Sequence, residues 1–108
     1  MITLKLLENQ LRFRIHRAEF DKLRLGETLA LEMALFPEQP LTIILSPEER
    51  ASSQLRLEAG ASTIHLHIST QALQVFEACL PSRQGLEDTT LDTTGKPIRL
   101  CLEVDVRK

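Results

Sequence analysis

A chain of 108 residues with 43% hydrophobic and 26% charged residues has the composition of a globular domain and is long enough to bury a core. A formal net charge of −2, with no Trp and no Tyr, excludes a strong field for nucleic acid or anionic lipid and removes the usual base-stacking and interface-anchoring side chains. Disorder is excluded as well, since it needs low hydrophobicity together with high net charge.

Leu4 and Leu6 alternate with polar residues, Glu8-Asn9-Gln10 interrupts, and Leu11 to Ile15 resumes the alternation. Period two around a polar turn predicts a hairpin. Leu11, Phe13 and Ile15 would face a core, and Arg12 and Arg14 water. Residues 17–25 are predicted helical, with Ala18, Phe20, Leu23 and Leu25 as apolar members. Gly26 follows where a left-handed C-terminal cap belongs. His16 holds the N-cap position, where Ser, Thr, Asp or Asn is usual.

Leu29, Leu31, Met33 and Leu35 predict a third strand over 28–36. Its other face, Ala30, Glu32, Ala34 and Phe36, is unusually apolar for a wet surface. Pro37-Glu38-Gln39-Pro40 reads as a turn, followed by a fourth strand over 41–45. Ser46 to Gln54 is a polar connection, with a helical turn expected after Pro47. Leu55 to Glu58 and Thr63 to Ile68 form a second hairpin across Ala59-Gly60-Ala61-Ser62. A second helix follows, capped by Ser69 or Thr70. Ala72, Leu73, Val75, Phe76, Cys79 and Leu80 form its apolar face, and Pro81 ends it. Residues 81–97 are expected to be one long irregular loop. Ile98, Leu100, Leu102, Val104 and Val106 then alternate with polar residues and predict a half-buried strand.

Leu11-Arg12-Phe13-Arg14-Ile15 returns 53 positions later as Ile64-His65-Leu66-His67-Ile68, and Phe20 and Leu23 return as Leu73 and Phe76. The pattern predicts one domain over 1–108 with an internal pseudo-repeat, residues 1–25 and 54–80 each forming a ββα unit. The expected fold class is α+β: a mainly antiparallel sheet of about seven strands with two short helices on one face. Phe13, Phe20, Leu66, Leu73 and Phe76 are the predicted core.

The stretch Leu11-Arg12-Phe13-Arg14-Ile15-His16, with a helix ending at Gly26-Glu27, resembles a family of small uncharacterised bacterial proteins classed as a domain of unknown function. Its members open with a strand, a polar turn, an L-R-L-R-L-T-like strand and a helix ending near Gly-Glu. Ile64 to Leu80 fits the same layout, and His16 stands where the family has Thr. The resemblance implies the fold above and carries no activity.

His65 and His67 share one strand face and could supply two metal ligands. A third would have to come from Cys101, Glu103 or Asp105 on the last strand. No close spacing anchors such a triad, so no metal and no cofactor are expected. Arg12 and Arg14 also share a face, beside His16 and Arg17, and suit anion recognition. Neutralisation by Glu103 and Asp105 across the sheet is the expectation instead. Cys101 with His65 or His67 would make a nucleophile–base pair, whereas Cys79 reads as an inert core residue. No Ser motif, phosphate loop or paired catalytic carboxylate is visible, and no catalytic residue is assigned.

The functional expectation is a non-enzymatic interaction module that binds a protein partner, or itself as a homodimer, through the apolar face of the strands at 28–36 and 41–45. The alternative is a protein binding a small anionic ligand on a sheet face made by Arg12, Arg14, His65 and His67. An enzyme ranks third. No nucleic acid is expected as a partner. No membrane is expected either, because no apolar run approaches about 20 residues. Met1 to Lys5 lacks a signal-peptide pattern, so a cytoplasmic location with free Cys79 and Cys101 thiols is expected.

Overall fold

The computed structural model describes residues 2–36, 39–49, 53–78, 85–91 and 94–105. The elements run β1 (Thr3–Leu7), β2 (Gln10–His16), α1 (Arg17–Arg24), β3 (Leu29–Phe36), β4 (Gln39–Glu48), β5 (Leu55–Ala59), β6 (Thr63–Ser69), α2 (Thr70–Ala78), β7 (Leu86–Leu91) and β8 (Pro97–Asp105). They build two four-stranded sheets, ordered β1-β2-β8-β7 and β3-β4-β6-β5. In each, two antiparallel hairpins meet along a parallel central pair, β2 with β8 and β4 with β6. The α+β class holds, while the single, mainly antiparallel sheet of seven strands is corrected to two mixed sheets. Alternation reports that one face of a strand is buried; it carries no information about the direction or identity of the neighbouring strand.

Each sheet takes one hairpin from the first half of the chain and one from the second. Their registers match. Phe13 lies beside Leu102 in one sheet, and Leu66, 53 positions beyond Phe13, lies beside Leu45 in the other. The same offset carries the pair Thr3 and Arg14 onto Arg56 and His67. The turns correspond too: Arg99 N donates to Asn9 O at 2.9 Å, and Thr42 N donates to Ser62 O at 2.9 Å.

Three features differ from the sequence reading. β7 lies inside the stretch expected to be irregular. It is an edge strand, so few of its side chains need be apolar, and Leu-Glu-Asp-Thr-Thr-Leu gives no alternation to read. β4 runs on to Glu48 and absorbs Pro47, so no helical turn starts there. The helices also do not lie on one face of one sheet. α1 packs against β2 and β8 of the first sheet and β3 and β4 of the second, and α2 packs against β6 and α1. Cys79, Leu80, Pro81 and Val106 lie outside the described residues.

Local chemistry explains both helices. His16 N donates to Glu19 Oε1 at 2.9 Å, so an acidic side chain in the first turn satisfies an amide where His16 is a poor cap. Gly26 has φ of +92°; its N–H donates to Leu23 O and that of Glu27 to Lys22 O, both at 3.0 Å. That bond pair is a Schellman closure, which requires a left-handed residue. Ser69 caps α2, its Oγ accepting from Ala72 N at 3.2 Å.

Phe13, Phe20, Leu66, Leu73 and Phe76 are all buried, and both sheets and both helices feed the same core. Phe20 meets Phe76 edge to face, centroids 5.7 Å apart at 81°. Arg17 Nη2 bonds Glu77 Oε1 at 2.8 Å and ties the helices together outside that contact. Val75, Leu25 and Ala18, predicted on the apolar faces, are exposed. At about 100° per residue, Val75 and Ala18 sit off the stripes set by Leu73 and Phe76 and by Phe20 and Leu23. Because both sheets turn their apolar faces to one core, their polar faces point away from each other.

Candidate functional site

The outer face of the first sheet carries Arg12 and Arg14 on β2. Arg12 sits beside Cys101 and Arg14 beside Glu103 on the parallel neighbour β8. The long guanidinium arms reach one step further: Arg12 Nη2 pairs with Glu103 Oε1, and Arg14 Nη2 lies 3.6 Å from Asp105 Oδ2. Thr3, Lys5, Arg12, Arg14 and Glu103 line a recess of about 100 Å³. Arg17 takes no part, being committed to Glu77 and Asp21.

Cys101 shares the outward parity of Glu103 and Asp105 on β8. It is 2% exposed, flanked by Arg12 on β2 and Glu87 on β7. The Arg12–Glu103 pair covers it, and its Sγ lies 3.9 Å from Glu103 Oε1. Burial pushes the thiol above its ordinary value, and the carboxylates of Glu103 and Glu87 push the same way. A thiol held protonated is a poor nucleophile.

His65 and His67 lie on β6, in the other sheet. The four-residue cluster of Arg12, Arg14, His65 and His67 therefore does not form; it is corrected to two separate faces. The same correction removes Cys101, Glu103 and Asp105 as third ligands for the histidines, and Cys101 as their nucleophile partner. Strand parity was read correctly, but parity does not say which sheet a strand joins.

The second outer face has its own chemistry. The imidazoles of His65 and His67 stack, centroids 3.9 Å apart and planes inclined by 25°. Ser46 Oγ on β4 lies 2.7 Å from His65 Nε2. Glu58 on β5 is the cross-strand neighbour of His65, and its Oε1 lies 3.4 Å from His67 Nε2. Arg56 pairs with both Glu58 and Glu48, its Nη2 lying 2.6 Å from Glu48 Oε1. Its hydrogen bonds hold both carboxyls below the usual carboxylate range. Burial holds the His65 imidazole below the ordinary histidine value, and His67 adds to the effect.

Glu58 is the site residue that the sequence does not place. The hairpin over 55–68 is legible, but a turn at Ala59-Gly60-Ala61-Ser62 would set Glu58 beside Thr63, whereas the structure pairs Ala59 with Ile64 and so Glu58 with His65.

Ser46 and His65 resemble a nucleophile with its base, but they sit on central strands of an open sheet. The amides of such strands are spent on ladder hydrogen bonds, leaving no donors for a developing oxyanion. A further recess, about 320 Å³, is lined by Ser53, Gln54, Ser69, Gln71, Ala72, Val75 and Leu86, none of them titratable. Its two hydroxyls are occupied, Ser53 Oγ donating to Leu55 O and Ser69 Oγ capping α2.

Two mixed four-stranded sheets around a shared core, each formed by hairpins from opposite halves of the chain, define the structural class. The chain matches no protein-family model, no curated protein and no solved structure. Among the described residues, no helix is long and apolar enough to cross a membrane.

Proposed function

We propose that this chain is a non-enzymatic interaction module that pairs with a second copy of itself along β3. The observation that carries this reading is the character of that edge. Among the described residues, β3 hydrogen-bonds β4 on one side and no strand on the other, and its eight residues, Leu-Ala-Leu-Glu-Met-Ala-Leu-Phe, contain one charge. Edge strands ordinarily carry charges, bulges or prolines that block further pairing; β3 has one register shift, between Met33 and Phe36, and pairs regularly with β4 from Leu29 to Met33. β7, which bears the same relation to β8 that β3 bears to β4, has Glu87 and Asp88 in the positions of Ala30 and Leu31. Ala30 is exposed and its cross-strand neighbour Ile44 is half-buried, so the adjoining surface is apolar as well. The side chains of Ala34 and Phe36 lie outside those described.

Antiparallel pairing of two β3 strands about a two-fold axis would join two four-stranded sheets into one of eight and occupy the free backbone donors and acceptors. The matching registers also support reading the two halves of the chain as copies of one ββαββ unit, of which β3 is the edge with a single charge, Glu32. Sedimentation equilibrium tests the pairing. The parent is expected to sediment at twice 12.2 kDa, and Ala30→Lys/Glu32→Lys as a single chain. A parent that stays monomeric at tens of micromolar refutes the proposal.

A further inference from the structure

The outer faces of the two sheets are built on matching registers but hold opposite charge. Where β1 places Lys5 beside Arg12, β5 places Glu58 beside His65. On the first face, Lys5, Arg12, Arg14 and Arg99 outnumber Glu87, Glu103 and Asp105. On the second, Glu48 and Glu58 outnumber Arg56, with the imidazoles counted as free bases, the form that binds metals.

We propose that Glu58, His65 and His67 form a binding site for one divalent transition-metal ion, with zinc the best fit. Their donor atoms all lie within 4.8 Å of one another. Donors on a tetrahedral zinc ion, each at about 2.0–2.2 Å from it, lie roughly 3.4 Å apart, so closure needs side-chain rotation and no backbone shift. His67 Nε2 is buried, and its neighbour Glu58 Oε1, 3.4 Å away, does not make a hydrogen bond to it; a metal ion between the two would give both a ligand bond. Two imidazoles and one carboxylate favour zinc, copper and nickel over magnesium and calcium, which prefer all-oxygen shells. A water molecule would complete the shell.

The neighbours fit that role. Ser46 restrains the His65 ring through Nε2. Glu48 holds Arg56 by two contacts, Nη2 to Oε1 at 2.6 Å and Nε to Oε2 at 3.3 Å, so Arg56 keeps a partner when Glu58 turns to the ion. A bound metal lies in the plane of each ring that ligates it, and near-parallel planes 3.9 Å apart do not meet at bonding distance. Capture therefore turns the two rings out of their stack, which provides a signature independent of affinity.

The test is titration of the metal-free, reduced chain with zinc chloride, followed by calorimetry and by imidazole nitrogen–proton NMR. The expected result is one zinc per chain with a micromolar dissociation constant, and no heat from magnesium. Resonances of His65 and His67 should shift while those of His16, the third histidine of the chain, stay in place. His67→Ala and Glu58→Gln should each weaken binding at least ten-fold, with Arg12→Ala as an unaffected control. Circular dichroism shows whether each variant is folded, and the NMR arm needs no variant. Absence of binding below millimolar zinc overturns the proposal. So does binding that survives His67→Ala, or zinc shifts confined to His16.

Discussion

Replacing Phe20 by Ala is the sharpest perturbation of the shared core. The ring is fully buried, meets Phe76 edge to face at 5.7 Å, and lies 5.6 Å below the Arg17 guanidinium. A core Phe→Ala change costs about 3–5 kcal/mol, through lost transfer free energy and the cavity left behind. The edge-to-face pair accounts for roughly 0.5–1.5 kcal/mol of that. A working value of about 4 kcal/mol is a large part of the ~5–15 kcal/mol that stabilises a small domain. With a urea slope of about 1–3 kcal/mol per molar, the unfolding midpoint should fall by roughly 2 M. Far-UV circular dichroism is the assay, because the chain has no Trp or Tyr to report by fluorescence. Adding Phe76→Leu alone and in combination isolates the aromatic coupling by a double-mutant cycle. A midpoint shift below about 0.5 M at unchanged slope would refute the placement of Phe20 between the sheets.

Two further outcomes are expected. Gly26→Ala should destabilise by about 1–2 kcal/mol in the same urea assay, because L residues resist a left-handed conformation. An added Cβ there meets nothing within 4 Å, so the cost is entirely backbone strain, and Gly26→Asn should recover part of it. Cys101 should resist iodoacetamide in the folded chain. Burial and two nearby carboxylates raise its thiol, so labelling should accelerate only above the usual thiol range, about pH 8.5, and at lower pH after unfolding in urea. Peptide mapping follows the site, and equal rates at pH 8 with and without urea would contradict its burial.

The amino-acid sequence by itself determined what depends on near neighbours in the chain. Alternation located β2, β6 and β8, because one buried face imposes period two on any strand. The closure at Gly26 and the cap at Ser69 follow from backbone groups within a few residues. The five core residues were legible because strand parity and helical spacing mark the inward face. Only the tertiary structure decided which strands are partners. Chain order gives no sign that β2 joins β8 while β4 joins β6, since both pairings bury the same apolar side chains. β7 was hidden because an edge strand needs little apolar surface. The burial of Cys101 was hidden because it comes from Arg12, Glu103 and Glu87, contributed by three strands, two of them distant in sequence. For the same reason, Arg12 and Arg14 share a parity with His65 and His67 but not a surface. Parity is a property of one strand, and a site is a property of a sheet.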